Sequence, residues 1–387
     1  MITCLVLKNI PNPLIYWRTW ITVMGPILLL PIPLIAEEEN QEALWCLYTI
    51  LVMALYWIFE CLPLAITSML PLVLLPLLGV ASTKEVSLNY LNATNMMFVA
   101  GLMMAIAVEH CGLHHRISLN IISFVGTSQQ LLMLGFMTCS MFLSMWISNT
   151  ATTAMMVPIV DAISETVNSA DDVDIDELES KKDSRSRSKA HETTRNFLLL
   201  SCAYASNIGG TGVITGSPPN LVVLSTLNKD YGDGNAPLSY ASWMAFCVPL
   251  MLVNTFLAWL WILILQKIQT WGETPRSSDQ DEKIKKVILQ KKNALGKMSM
   301  HEWQVLILFI ILVILWFFKT PVFIPGWGDL FKRQTMRDPP TKVSVSSATP
   351  AVLIVALVFI LPREYSSTKS SPALLDWPTG WHHELLS

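Results

Sequence analysis

Long apolar runs separated by short polar stretches recur along all 387 residues. They fall at about residues 14–36, 43–59, 63–80, 95–111, 131–163, 196–227, 240–265, 302–319 and 347–362. Most are long enough to cross the roughly 30 Å of a bilayer core as helices. The run from Leu131 to Ile163 is too long for one span, because a continuous helix over it would reach about 50 Å at about 1.5 Å per residue. A polar insert, Ser148-Asn149-Thr150-Ala151-Thr152-Thr153, divides it into a longer first arm, Leu131 to Ile147, and a second arm, Ala154 to Ile163, too short to cross. Basic residues flank both ends: Arg116 before, and Lys181, Lys182, Arg185, Arg187 and Lys189 after. Both ends therefore belong on the cytoplasmic side, and the pattern predicts a re-entrant hairpin, 131–163, with its polar tip inside the membrane.

A second insert interrupts the run that starts at Phe197. Between Ser206 and Asn220 stand Gly209, Gly210, Gly212, Gly216, Pro218 and Pro219, which cannot continue a helix. A broken helix over 196–227 is predicted. The soluble alternative, a phosphate-binding loop, lacks the following Gly-Lys-Ser/Thr and a preceding strand.

Irregular backbone at membrane depth survives only when buried in protein or lining a watery cavity. Such breaks have a chemical use. Carbonyls and Ser, Thr and Asn oxygens suit Na⁺, while free N–H groups and hydroxyls suit a carboxylate or sulfate. The glycines let backbone approach an ion, and Thr211, Thr215 and Ser217 can complete an oxygen shell. The plainer alternative is that the hydroxyls back-bond within a continuous helix or glue two helices together.

Composition fixes the class. The chain is 52% hydrophobic and 14% charged, against about 25% charged in soluble domains, so it reads as an all-α polytopic membrane protein. Its net charge of −3 gives no ground for a nucleic-acid partner. Seven scattered cysteines, without a close pair or a His at metal spacing, read as small core residues. The first run lacks a small-residue cleavage site before Glu37 and reads as a retained span, with Lys8 and Arg18 placing the N-terminus in the cytoplasm. Alternation then puts residues 166–195 and 266–301 inside, with six and eight Lys plus Arg, against one each near 81–94 and 228–239 and five in 319–346.

Residues 168–193 read as a flexible charged linker. Short surface helices are expected at Leu113–Phe124 and within 273–301, where Ile284, Val287, Ile288 and Leu295 recur near helical spacing. Asn92-Ala93-Thr94 is a glycosylation sequon on the expected outer side. Glu60, Glu109, His110 and Asp161 lie near span ends, where interfacial solvation accounts for them. No nucleophile, base and orienting acid occur together, so neither an enzyme nor an organic cofactor is expected.

The motifs carry a resemblance. Ser-Asn-Thr-Ala-Thr-Thr-Ala-Met-Met-Val-Pro-Ile, Ser148 to Ile159, and Ile-Gly-Gly-Thr-Gly-x-x-Thr-Gly-x-Pro-Pro-Asn, Ile208 to Asn220, resemble the divalent-anion:sodium symporter family. That family includes sodium-coupled dicarboxylate, citrate and sulfate transporters and the insect "I'm not dead yet" type. Trp146, Gly101-Leu102-Met103 and Leu113-His114 resemble it too, so the likeness extends to about Trp377.

The resemblance implies two inverted repeats, each giving a hairpin and a broken helix to a shared site that moves as an elevator within a homodimer. It places Ser144, Ser148, Asn149, Gly209 and Gly210 at a sodium site, and Ser148, Asn149, Thr150, Thr215 and Gly216 at the substrate. The implied function is sodium-coupled symport of a di- or tricarboxylate across the plasma membrane, with sulfate as the alternative anion. Residues 1–126 would form the first span and scaffold helices, and 127–265 half of the transport domain. Residues 266–301 would be a cytoplasmic loop and 302–387 the start of a second repeat. A second Ser-Asn-Thr-like hairpin motif is absent, so the chain is expected to be an incomplete form; the rival is a truncated, non-transporting isoform or regulatory partner of a longer copy. No Lys or Arg falls in the candidate site, so anion binding would rest on neutral dipoles and on the sodium charge.

Overall fold

The computed structural model describes residues 17–35, 40–126, 128–172, 181–231, 238–269, 278–321, 324–331, 333–334, 342–343, 345–364 and 372–375, without side-chain detail at 165–191 and 278–281. Lys8, residues 173–180, Trp377 and residues 378–387 lie outside them. The chain divides into two compact units, Met1–Asn92 and Ala93–Ser387.

In the first unit, α1 (Trp17–Leu29) carries Pro26 and is followed by the single turn α2 (Pro31–Leu34) and the apolar α3 (Gln41–Phe59). Pro26 has no N–H to give the Thr22 carbonyl. The Tyr56 hydroxyl of α3 donates to that oxygen at 2.7 Å, and the Tyr48 hydroxyl donates to the Pro26 carbonyl at 3.2 Å. In lipid each orphaned carbonyl would cost several kcal/mol, so two tyrosines make the proline tolerable.

The expected single span over 63–80 is instead two short helices, α4 (Leu64–Ser68) and α5 (Pro71–Leu77). Pro71 occupies the first position of α5 and Pro76 lies inside it, and the Ser68 carbonyl freed at the join accepts the Tyr90 hydroxyl of α6 (Thr83–Tyr90) at 2.6 Å.

The second unit begins with α7 (Ala93–His110) and α8 (Leu113–Val125), the latter at the expected surface helix. The hairpin follows as α9 (Gln129–Ser144) and α10 (Asn149–Asp172), both packed along α11 (Lys181–Gly209). The break falls at residues 145–148 rather than across the whole polar insert. Ser148 accepts the Ala151 N–H on its hydroxyl at 3.2 Å, and its carbonyl accepts the Thr152 N–H at 2.9 Å. Ser148 thus starts the second arm as an N-cap does, and Asn149 to Thr153 form that arm's first turns.

The linker expected over 168–193 is helical at both ends, since α10 runs to Asp172 and α11 starts at Lys181. Lys, Arg and Glu sustain a helix once a packed segment has nucleated it. An ion pair ties α10 to α11, with Arg195 Nε 2.6 Å from Asp161 Oδ1.

After the second break, η1 (Ile214–Gly216) and α12 (Pro218–Tyr231) lead to the long α13 (Tyr240–Gln269). Then come the amphipathic α14 (Ser278–Ala294) and the apolar α15 (Met300–Phe317) and α16 (Ala348–Ile360). Between the last two lie a 3-10 turn, Trp327–Phe331, and a two-residue antiparallel pair, Arg333 with Val343 and Gln334 with Lys342. Among the described residues, five helical stretches are long and apolar enough to cross a membrane: Trp17–Leu34, Gln41–Phe59, Thr83–His110, Tyr240–Gln269 and Met300–Phe317. The larger core centres on the hairpin, with Phe136, Met137 and Met156 fully buried, and the first unit has its own small core of Tyr48, Val52 and Tyr56. Cys46, Cys61, Cys111, Cys139, Cys202 and Cys247 are all free.

Candidate functional site

The two interrupted helices meet. An added Cβ at Gly216 would lie 2.7 Å from the Gly210 carbonyl oxygen and 3.0 Å from that of Met145, so only glycine lets the unwound turn reach the hairpin break. At Gly210 a Cβ would lie 2.5 Å from Asn149 Oδ1. Gly209 sits against the Met141 backbone of the first arm, and its carbonyl accepts the Gly212 N–H at 2.9 Å.

Around this contact the oxygens gather. The buried Ser144 hydroxyl lies 2.6 Å from the Ser206 carbonyl oxygen and 2.7 Å from Asn149 Oδ1. Asn149 Nδ2 donates to Asn207 Oδ1 at 3.3 Å. Asn220 braces the unwound stretch by donating through Nδ2 to the Gly210 and Val213 carbonyls, at 2.8 and 3.0 Å. The hydroxyls of Thr152 and Ser206 are buried without a partner among the described residues, a costly state for groups that an ion could satisfy.

Beside this cluster opens a cavity of about 370 Å³. Its polar wall is made by Ser148, Asn149, Thr150, Asn207, Thr215 and Ser217; its apolar wall includes Phe98, Phe309 and Trp316. No charged side chain lines it. The Thr215 hydroxyl lies 3.1 Å from that of Tyr240, whose ring stacks on Trp316 at 5.2 Å.

The helix ends give the cavity its electrostatics. Helices α9 and α11 finish at Ser144 and Gly209, turning carbonyl ends toward the join, whereas α10 and α12 begin at Asn149 and Pro218 on the cavity wall. Carbonyl ends favour a cation and N-terminal ends an anion. The residues present are all neutral oxygen donors, and no cluster of three His, Cys, Asp or Glu suited to a metal occurs among the described residues. That donor set fits a weakly bound monovalent cation.

Ser144 and Asn149 lie with the oxygens, Gly209 and Gly210 at the helix end, and Ser148, Thr150, Thr215, Gly216 and Ser217 on the cavity wall; Thr211, expected in the oxygen shell, is exposed and its hydroxyl donates to the Ile208 carbonyl at 2.7 Å instead. Sequence reasoning passed over Ser206, Asn207, Asn220 and Thr152. Asn207 and Asn220 bracket the glycine-rich stretch and were legible as the amides nearest an unwound backbone; nothing in the local pattern singles out the Ser206 carbonyl.

A largely helical membrane chain whose two broken helices open on an uncharged cavity with one polar wall has the architecture of a solute transporter, not of an enzyme. The description "Sodium:sulfate symporter transmembrane region" matches residues 13–382, and the chain belongs to that family. It is 36% identical to a mouse Na(+)/citrate cotransporter over 92% of this chain and 68% of that protein. It is 35% identical to human solute carrier family 13 member 2, over 94% of this chain and 68% of the relative. Against the sodium-dependent high-affinity dicarboxylate transporter 3 of Caenorhabditis elegans it is 36% identical, over 86% of this chain and 57% of the relative. The chain thus spans roughly two thirds of the length of the relatives it matches.

Proposed function

We propose sodium-coupled symport of a di- or tricarboxylate, with Na⁺ held by Ser144, Ser148, Asn149 and the backbone at Gly209 and Gly210, and the substrate carboxylate by Ser148, Asn149, Thr150, Thr215 and Gly216. The observation that carries this is the uncharged cavity placed where two helices end and two begin. An anion there meets a full positive charge only when Na⁺ is present, so the two bind together. The matched relatives' names favour citrate and dicarboxylates over sulfate.

The cavity's apolar wall bears on how much of the cycle this chain performs. Phe98 and Phe309 offer no hydrogen bond, the Trp316 indole N–H is already donated to the Ser347 carbonyl at 2.9 Å, and the remaining ring, Trp146, whose buried indole N–H has no partner among the described residues, belongs to the hairpin break itself. A substrate is held from one side, which favours an incomplete form that binds without transporting, or that partners a longer copy in a homodimer. Uptake of labelled succinate, citrate and sulfate into vesicles is the test. Expressed alone, the chain is expected to insert but not to accumulate any of them. In a longer form carrying a second hairpin, sodium-driven uptake of a carboxylate is expected, abolished by Asn149→Ala at normal surface expression. Accumulation by the chain alone, or full uptake with Asn149→Ala, overturns the respective reading. Plasma-membrane location with a cytoplasmic N-terminus belongs to the same proposal. A tag beside Ser188 should then be reached by antibody only after cells are permeabilised.

A further inference from the structure

We propose that the exposed face of α14 is a binding surface for anionic phospholipid headgroups, in the leaflet where α13 ends and α15 begins. Residues 283–297 carry six lysines and no aspartate or glutamate. Such a density beside membrane spans is what an acidic membrane surface attracts.

The helix is held in one orientation. Ile284 and Ile288 are fully buried, and α14 packs against α8 and α10. That leaves Lys285, Lys286 and Lys292 exposed, and with them Leu289, which is 42% exposed. Leu289 lies four residues after Lys285 and three from both Lys286 and Lys292, so on a helix it sits among the three ammonium groups. A purely solvated face gains nothing from a leucine at its centre. A membrane interface uses both, the apolar chain entering the acyl boundary while the ammonium groups meet phosphates and carboxylates.

The height is fixed as well. Arg116 of α8 donates to the carbonyls of Leu295, Gly296 and Lys297 at 2.8, 2.8 and 2.9 Å, and pairs at 2.5 Å with Glu302 in the first turn of α15. The C-terminal end of α14 is therefore pinned at the mouth of a span, with Lys292 and Lys297 beside it. Glu282 pairs with Lys286 at 3.0 Å, but both side chains are about two-thirds exposed, and such a pair yields readily to a headgroup. An acidic protein segment would use the same lysines without requiring Leu289 or a position at the membrane boundary.

The test uses the purified chain in neutral detergent, titrated with dioctanoylphosphatidylserine, dioctanoylphosphatidylcholine and inorganic phosphate. Bound lipid is counted by native mass spectrometry. Phosphatidylserine is expected to bind about tenfold or more tighter than phosphatidylcholine, and to lose about tenfold in the triple variant K285Q/K286Q/K292Q. Leu289→Ser should weaken the lipid several-fold and leave inorganic phosphate unchanged. Equal binding of the two lipids, undiminished phosphatidylserine binding by the triple variant, or inorganic phosphate binding as tight as lipid would each overturn the proposal. So would an unaltered affinity in Leu289→Ser, which points to a soluble acidic partner. Should the triple variant misfold, the unaltered chain decides. Phosphatidylserine binding that weakens about tenfold as potassium chloride is raised supports the proposal, and salt-independent binding overturns it.

Discussion

Replacing Gly210 by alanine adds one methyl group between the two interrupted helices. The new Cβ would stand 2.5 Å from Asn149 Oδ1, 3.0 Å from Nδ2 and 3.1 Å from Cγ, so the whole amide must retreat by about 0.9 Å to restore the 3.4 Å at which ordinary contact begins. Retreat draws Oδ1 away from the Ser144 hydroxyl, now at 2.7 Å, and Nδ2 away from Asn207, now at 3.3 Å. Overpacking of this kind costs about 1–3 kcal/mol. If about 2 kcal/mol of it falls on the ion-loaded state, sodium affinity drops about 30-fold.

The assay needs no transport. A ligand that binds only the native state raises its stability with concentration, so the melting temperature of the purified chain is followed as sodium replaces choline at constant ionic strength. In the unaltered chain it should climb with sodium, and in Gly210→Ala the climb should shift to about 30-fold higher concentration. Asn149→Ala supplies the control. With that side chain cut back the added methyl meets nothing, so the double variant should match Asn149→Ala alone, a coupling that independent sites do not show. An unshifted sodium response in Gly210→Ala, or losses that simply add in the double variant, would refute the reasoning.

Asn220→Ala removes both amide bonds that hold the Gly210 and Val213 carbonyls; a loss of about 2–3 kcal/mol is expected in chemical unfolding, with amide exchange fastest at residues 210–217. Arg116→Ala leaves Glu302 buried, its side chain 8% exposed, and frees three carbonyls; about 3–5 kcal/mol should be lost, whereas Arg195→Ala, at a far more exposed pair, should cost much less. Burial holds His114 neutral, with its pKa lowered from 6.5 to about 4, and lowers His115 as well. The unfolded chain therefore binds protons first as pH falls, so stability should be complete above the ordinary histidine value and decline from there toward about 4. A melting temperature that is flat or rises over that descent refutes this, and His114→Gln should flatten it.

Much of this fold was legible because membrane spans announce themselves by length and apolarity, and because the second break carries glycines and prolines that helices exclude. The surface helix over Leu113–Val125 and the burial of Ile284 and Ile288 followed from periodicity alone. The pieces that escaped depend on long-range partners. The join between α4 and α5 is tolerable because Tyr90 reaches the Ser68 carbonyl from 22 residues away, and hydropathy does not register that. The Ser148 hydroxyl acts as a cap at a particular backbone turn, so a polar insert read as uniform loop resolved into a four-residue break and a helix start. At the site, side-chain oxygens were readable as types, whereas the Ser206 carbonyl enters only through the approach of α9 to α11.

The Arg116 guanidinium joins two stretches of chain separated by about 180 residues, and its consequence is mechanical. Helix α8 is fastened near its start to the foot of α15, and along its length to α14, so these three helices form a single bracket. The bracket ends at glycines held in left-handed backbone, Gly112 at φ +75° and Gly126 at φ +117°. The hairpin packs on this bracket through α9 against α8 and α10 against α14, so it is held by packed faces as well as by the chain turn at Gly126. A side chain at Gly126 would strain that turn, at φ +117°, while leaving both packed faces untouched.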